Sequence, residues 1–414
     1  MSEADDRYRR FARLIEGEPL PMALVDLDAL DRNIDVLVSP VRLRNKTLRI
    51  TSKSIRCPDL LSYIAKRAGK TVRGIMCYTP REAHFLAGRG FDDLLVAYPS
   101  ALVSDVALIA DAIARGHHVL LAADDLAHLR IADRAARDRG VSLPIIVDID
   151  VSYRPFGDRL SIGVRRSPLH TAEAVSEFVA RIGEHPNLSF AGLLAYEAHI
   201  AGVPDESRSK PVVDLVKRAM KRLAWPSVEE LRRAIATRLR DRGLAIPLFN
   251  GGGSGSVEAS SADPELTEVA AGSGFLDSHL FDGYRGLVLT PAIYFALQVT
   301  RKSSARSLTG GKKLSRYVTC QSGGFIASGA SGKDRLPLVA LPEGLSLTDL
   351  EGAGEVQTPL ALSDGQDLEI GAPVFFRHAK AGELAEHFNE YLLVRGDRIV
   401  ARAPTYRGLG QSFG

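Results

Sequence analysis

The chain has 414 residues, 45% of them apolar and 25% charged, with 53 basic and 50 acidic side chains and a formal net charge of +3. So small a surplus points to no nucleic-acid or anionic-membrane partner, and no apolar run approaches the ~18 residues of a membrane span. The length fits two or three domains, or one barrel with an addition, and a core that needs no disulfide or metal staple.

The opening stretch MSEADDRYRRFARLIEGEP is charged and lacks an apolar h-region, so residues 1–20 read as a helical segment and not as a signal peptide. Cys57, Cys77 and Cys320 are odd in number and widely spaced, which predicts reduced thiols in a reducing compartment. The expectation is a soluble, cytoplasmic protein.

Met22–Asp26 reads as a strand ahead of a helix over Ala29–Val38. It stands outside the repeating pattern that follows and is a candidate for a second domain. From Thr47 the chain alternates apolar strand-like runs with helical periods. Strand Thr47–Ser52 precedes helix Asp59–Arg67, and Thr71–Met76 precedes Pro80–Ala87, where Pro80 suits a first helical position. Asp93–Ala97 precedes Ser104–Ala114, and His118–Leu121 precedes Asp124–Arg137. Leu143–Ile149 precedes Thr171–Ile182, and Leu188–Ala195 precedes two helical stretches within Val212–Arg242. Ile246–Asn250 and Leu266–Ala270 complete eight strands. Their runs are nearly continuous in apolar residues, as in parallel strands covered on both faces. Eight such units over this length predict a (β/α)₈ barrel, with an open doubly wound sheet as the alternative.

Beyond about residue 287 helical periods become scarce. Short strand-like runs at Ala292–Thr300, Ser315–Cys320, Leu336–Ala340, Pro373–Phe376, Tyr391–Val394 and Arg398–Arg402 are separated by clusters such as LTGGKK and SGASGKD. They predict an all-β domain over 288–414, after a barrel over 21–287.

In barrels of this kind chemistry sits at the C-terminal ends of the strands. Lys53 follows the first strand, in ITSKS. A lysine desolvated in a barrel mouth is suited to Schiff-base formation. After the seventh strand comes FNGGGSGS, residues 249–256, and after the eighth comes AGSG, residues 271–274. Glycines there let backbone N–H groups approach an anion, and the loops after strands seven and eight often bind phosphate. A lysine and a phosphate cradle at one barrel mouth point to pyridoxal phosphate.

Five segments carry a family resemblance: PMALVDLDALDRN from Pro21, TSKSIRCP from Thr51, FAGLLAYEAHI from Phe190, and the two glycine loops. In this order they resemble the alanine-racemase-like, fold-type III pyridoxal-phosphate enzymes, in particular the D-threonine aldolase and D-serine dehydratase branch. The resemblance implies Lys53 as Schiff-base lysine and catalytic base. It implies Gly252, Gly253, Ser254 and Gly255 at the phosphate, with Ser273 and Gly274 adding donors. Tyr196 and His199 would flank the cofactor ring or its nitrogen, and Arg154 would reach its phenolic oxygen. The branch ends with a histidine and, two residues on, a cysteine or aspartate that bind a divalent metal. The end matched to it here, GDRIVARAPTY from Gly396, has no histidine, which removes the support for a metal. Upstream, Glu383 and His387 are candidates for metal binding, and His378, Lys380 and His387 for a substrate carboxylate or for proton transfer, with His387 as a catalytic candidate. Glu383 and His387 would share a face if their segment is helical.

The resemblance implies a lyase acting on D-configured β-hydroxy amino acids, by retro-aldol cleavage or dehydration, on a small-molecule substrate and as a homodimer. The alternatives are an amino-acid racemase, for which Tyr294, Tyr317, Tyr391 and Tyr406 are candidate second bases, a non-catalytic pyridoxal-phosphate-binding protein, and a sugar-phosphate barrel enzyme. Cys57, four residues after Lys53, is the thiol to place relative to the cofactor.

Overall fold

The computed structural model describes residues 2–206, 211–306 and 314–414. Eight parallel strands close on themselves in the order Glu268–Ala271, Thr47–Thr51, Val72–Cys77, Leu94–Val96, Val119–Ala123, Leu143–Asp148, Leu188–Ala195 and Phe249–Gly251. Pairing of Glu268 with Asn250 completes the ring. The open-sheet alternative is thereby set aside. The strands are apolar on both faces, as a closed parallel barrel requires: Leu48, Ile50, Leu121 and Ile145 are buried in one core cluster, and Leu95, Leu120, Ile146 and Leu194 in a second.

An ion triad of buried Arg49 and Glu268 with half-buried Asp93 sits at the opposite, N-terminal end of the barrel. Arg49 donates from Nε to Glu268 at 2.7 Å and from Nη2 to Asp93 at 3.0 Å. Glu268 also accepts from Asn250 Nδ2 at 2.8 Å, so three barrel strands are joined through one carboxylate. Gly74 leaves the space the Arg49 guanidinium uses, since a Cβ there would lie 2.5 Å from Nη1.

Among the described residues the second sheet has nine strands. Met22–Asp26 lies inside it, antiparallel to Ile293–Arg306 and parallel to Glu390–Arg395. The segment 22–26, inside the 21–287 bounds of the expected barrel but set apart by its pattern as a candidate for the second domain, is therefore hydrogen-bonded into the β sheet. Its five residues are all buried, which is why they lack the alternation of a surface strand. The expected N-terminal helix is present as Glu3–Leu14 and covers this sheet, with Phe11 edge-on to Tyr294 at 5.3 Å.

The two helical stretches expected within Val212–Arg242 form one helix, Pro211–Asp241, that runs through Pro226. A proline removes one helical hydrogen bond, and packing on one side offsets that loss: Ala224, Val228 and Ile235 are buried. Strands Leu345–Leu347 and Gln357–Leu362 have no counterpart among the expected elements. The LTGGKK spacer, 308–313, lies outside the described residues. No helix among the described residues is long and apolar enough to cross a membrane.

Candidate active site at the barrel mouth

The C-terminal strand ends surround an open cleft with both polar and apolar walls, the setting of a small-molecule site. Lys53 stands in the short 3₁₀ turn Ser52–Ser54 that ends the strand Thr47–Thr51. Its Nζ donates to the Tyr98 hydroxyl at 2.8 Å. Tyr98 comes two residues after the strand Leu94–Val96. Burial alone would raise its phenol, but the Lys53 ammonium and the Arg166 guanidinium bring it below the ordinary tyrosine value. Arg166 lies 5.9 Å from the Tyr98 ring centroid.

Asp148, the last residue of its strand, lines the same cleft. Burial and the neighbouring Asp124 push its carboxyl up to about 7, against the pull of Arg166. The cleft thus combines cationic donors with a carboxyl that changes state near neutral pH. Inspection of every strand end would have found Asp148 and Tyr98 in the sequence. Arg166 has no such signal, because only the fold returns its loop over the mouth.

The two glycine loops meet at Ser254. Its Oγ accepts from the N–H groups of Gly272 at 3.1 Å and Gly274 at 3.0 Å. Ser254 and Ser273 are the first residues of the turns that follow their strands, where backbone N–H groups lack partners within the turn. Both line the cleft. Close approach requires glycine at two places. Gly252 has φ +82°, and a Cβ on it would lie 2.7 Å from Val269 Cγ1. A Cβ on Gly272 would lie 1.6 Å from the Thr51 hydroxyl oxygen. Tyr196 lines the cleft beside Gly253, whose Cβ would meet the phenol ring at 3.0 Å, and burial raises this phenol.

Lys53, Tyr196, Gly252, Gly253, Ser254 and Ser273 are thus brought to one cleft. Gly255 and Gly274 stand behind it: a Cβ on Gly255 would meet the Ala201 carbonyl at 2.3 Å. Arg154 does not line the cleft but grips Asp150, which does, at 2.9 Å. His199 packs behind the wall, 6% exposed, with Nε2 unpartnered, and burial lowers its basicity.

His387 lies elsewhere, in a small hollow of the β domain with His378, Lys380 and Glu383. Its ring packs on Phe325 at 4.9 Å, and burial with the nearby Arg407 lowers its basicity. The helix there covers only Ala381–Ala385, so Glu383 and His387 do not share one helical face. None of Tyr294, Tyr317, Tyr391 and Tyr406 lines the cleft. Cys57 is buried outside it, its thiol pushed up to about 12 by burial. No cluster of three or more His, Cys, Asp or Glu arranged for a metal ion occurs among the described residues.

The family model "Alanine racemase, N-terminal domain" matches residues 25–276. The 3-hydroxy-D-aspartate aldolase of Paracoccus denitrificans (strain Pd 1222) is 26% identical over 259 residues, 62% of this chain and 60% of that protein. A D-threonine aldolase of Arthrobacter sp is 24% identical over 267 residues, 63% of each chain. The matched region thus spans about three fifths of these curated relatives. In solved structures the fold recurs in D-threonine aldolase from Filomicrobium marinum, TM-score 0.76 and 18% identity over 94% of this chain and 96% of that one. It recurs also in D-threo-3-hydroxyaspartate dehydratase from Delftia sp. HT23, TM-score 0.71 and 18% identity over 94% and 97%.

Proposed function

Since this chain belongs to the alanine racemase N-terminal domain family, we propose that it is a pyridoxal-phosphate-dependent lyase of D-configured β-hydroxy amino acids. The observation that carries this reading is Lys53 in the cleft beside two joined glycine loops. The residues fit the cofactor. Ser254 and Ser273 offer turn-initiating N–H groups for its phosphate, and Gly252 and Gly272 keep the walls clear where a Cβ would intrude. Lys53 is the amine for its aldehyde, and Tyr196 offers a ring face. Bound there, pyridoxal phosphate supplies an electron sink for a bond broken at the Cα of an amino acid.

The chain's own residues supply positioning and proton transfer. Tyr98 holds the Lys53 amine by its hydroxyl and accepts or returns a proton at Nζ. Arg166 contributes positive charge for a substrate carboxylate beside the Tyr98 ring. Asp148, with its carboxyl near 7, accepts a proton at the same mouth. A homodimer belongs to this reading through the family resemblance, and a cytoplasmic location through the free cysteines and the charged opening stretch; Arg154, His199 and His387 stand outside the cleft, so any part of Arg154 is exerted through Asp150. Light scattering checks the homodimer.

The test is direct. Wild-type protein mixed with pyridoxal phosphate should develop the visible absorbance of a Schiff base, and Lys53→Ala should not. D-threonine, D-serine and D-3-hydroxyaspartate should then yield an aldehyde, or a keto acid with ammonia. A wild type that stays colourless sinks the cofactor assignment. A racemate as sole product replaces the lyase with a racemase.

A further inference from the structure

Behind the glycine loop lies a charged cluster that the roles above leave unused. Glu197 follows Tyr196 in the chain, but it is fully buried and does not line the cleft. Its Oε2 accepts the backbone N–H of Gly252 at 3.0 Å. Its Oε1 accepts the hydroxyls of Ser256 and Ser260, each at 2.6 Å. Ser256 Oγ in turn accepts the N–H of Gly253 at 3.1 Å. Two consecutive N–H groups of the loop are therefore committed, one directly and one through a serine, to a single carboxylate.

A buried carboxylate needs a counter-charge. Arg232, itself fully buried, supplies it by donating Nη2 to Glu197. The same nitrogen donates to the Ala195 carbonyl at 2.7 Å, and Nη1 donates to Asp263 at 2.9 Å. Ala195 is the last residue of its barrel strand. The cluster thereby ties that strand end, the long helix carrying Arg232 and the loop after the next strand into one unit. Arg232 also offsets the negative charge that Glu197 would otherwise place behind an anion site.

We propose that Glu197 is the positioning residue of the anion cradle: by holding the Gly252 and Gly253 N–H groups inward it fixes the loop with the Ser254 and Ser273 turn starts facing a phosphate. The identity of that phosphate as the cofactor's rests on the function proposed above. The consequence is selective. A ligand with a phosphate depends on Glu197, and the same aldehyde without a phosphate does not.

The experiment compares wild type, Glu197→Gln and Ser256→Ala, each freed of cofactor. Pyridoxal phosphate and pyridoxal are titrated by visible absorbance, and inorganic phosphate by calorimetry. Both variants should bind pyridoxal phosphate and inorganic phosphate about tenfold more weakly, the loss expected for one charge-assisted hydrogen bond, with pyridoxal binding unchanged. Equal weakening of both aldehydes, or no weakening of either, overturns the proposal. If Glu197→Gln does not fold, Ser256→Ala decides by the same comparison. A wild type that binds phosphate but colours with neither aldehyde rejects the cofactor and leaves the cradle to the phosphate arm. A wild type that colours equally well with both aldehydes and ignores phosphate rejects the cradle and keeps the lysine chemistry.

Discussion

Lys53 Nζ and the Tyr98 hydroxyl stand 2.8 Å apart, joining the ends of two barrel strands across the mouth of the cleft. Lys53 and Arg166 together draw the Tyr98 phenol below its ordinary value despite burial. The phenol therefore loses its proton at lower pH than a free tyrosine, and an alkaline limb of kcat should reflect that loss. Tyr98→Phe should remove this limb and lower kcat by roughly a hundredfold, the lower range for a positioned proton-transfer group. A pH–rate profile of both proteins checks this. An unchanged limb would assign it to another group.

Glu82 is fully buried beneath the Lys53 turn and accepts from the Tyr78 N–H at 2.7 Å and the Tyr406 hydroxyl at 2.8 Å. Burial raises its carboxyl from 4.5 to about 7, only partly countered by Ser52, Tyr78, Tyr406 and Arg56. The folded state thus holds a proton that the unfolded chain releases, and stability falls as pH rises between those two values. The shift corresponds to about 3 kcal/mol. Glu82→Gln keeps the shape and should flatten this decline. Urea denaturation at pH values below and above the interval measures the difference, and parallel curves would contradict it.

Gly382 in the β domain packs on the backbone of the catalytic lysine candidate: a Cβ on it would lie 1.8 Å from the Lys53 carbonyl oxygen. Gly382→Ala must displace one of the two segments. It should cost about 1–3 kcal/mol of stability and weaken cofactor uptake by moving the Lys53 turn. Thermal melting together with visible absorbance tests both parts.

The Arg49 guanidinium and the Glu268 carboxylate are both buried at the base of the barrel. Glu268→Ala leaves the arginine with Asp93 alone and should destabilise the protein by about 3–5 kcal/mol. Replacing Glu268 and Arg49 together by apolar residues should recover part of that loss. Denaturant titration of the single and double variants provides the comparison.

The residues by themselves determined much of this protein. Continuous apolar runs between helical periods specify a parallel barrel, because such strands must be covered on both faces. Strand ends specify where chemistry stands, so Lys53 and the glycine loops could be located by position alone. The tertiary structure decided what depends on contacts far apart in the chain. The pattern set Met22–Asp26 apart as a candidate for the second domain, but its partners there, Ile293–Arg306 and Glu390–Arg395, were chosen by the tertiary structure. Tyr98 met Lys53 across 45 residues, and Glu197 met the Gly252 N–H across 55. His387, a polar residue in a suggestive cluster, was carried to a separate hollow. Propensity and periodicity act within a few turns of chain, whereas proton partners and loop anchors are chosen by packing.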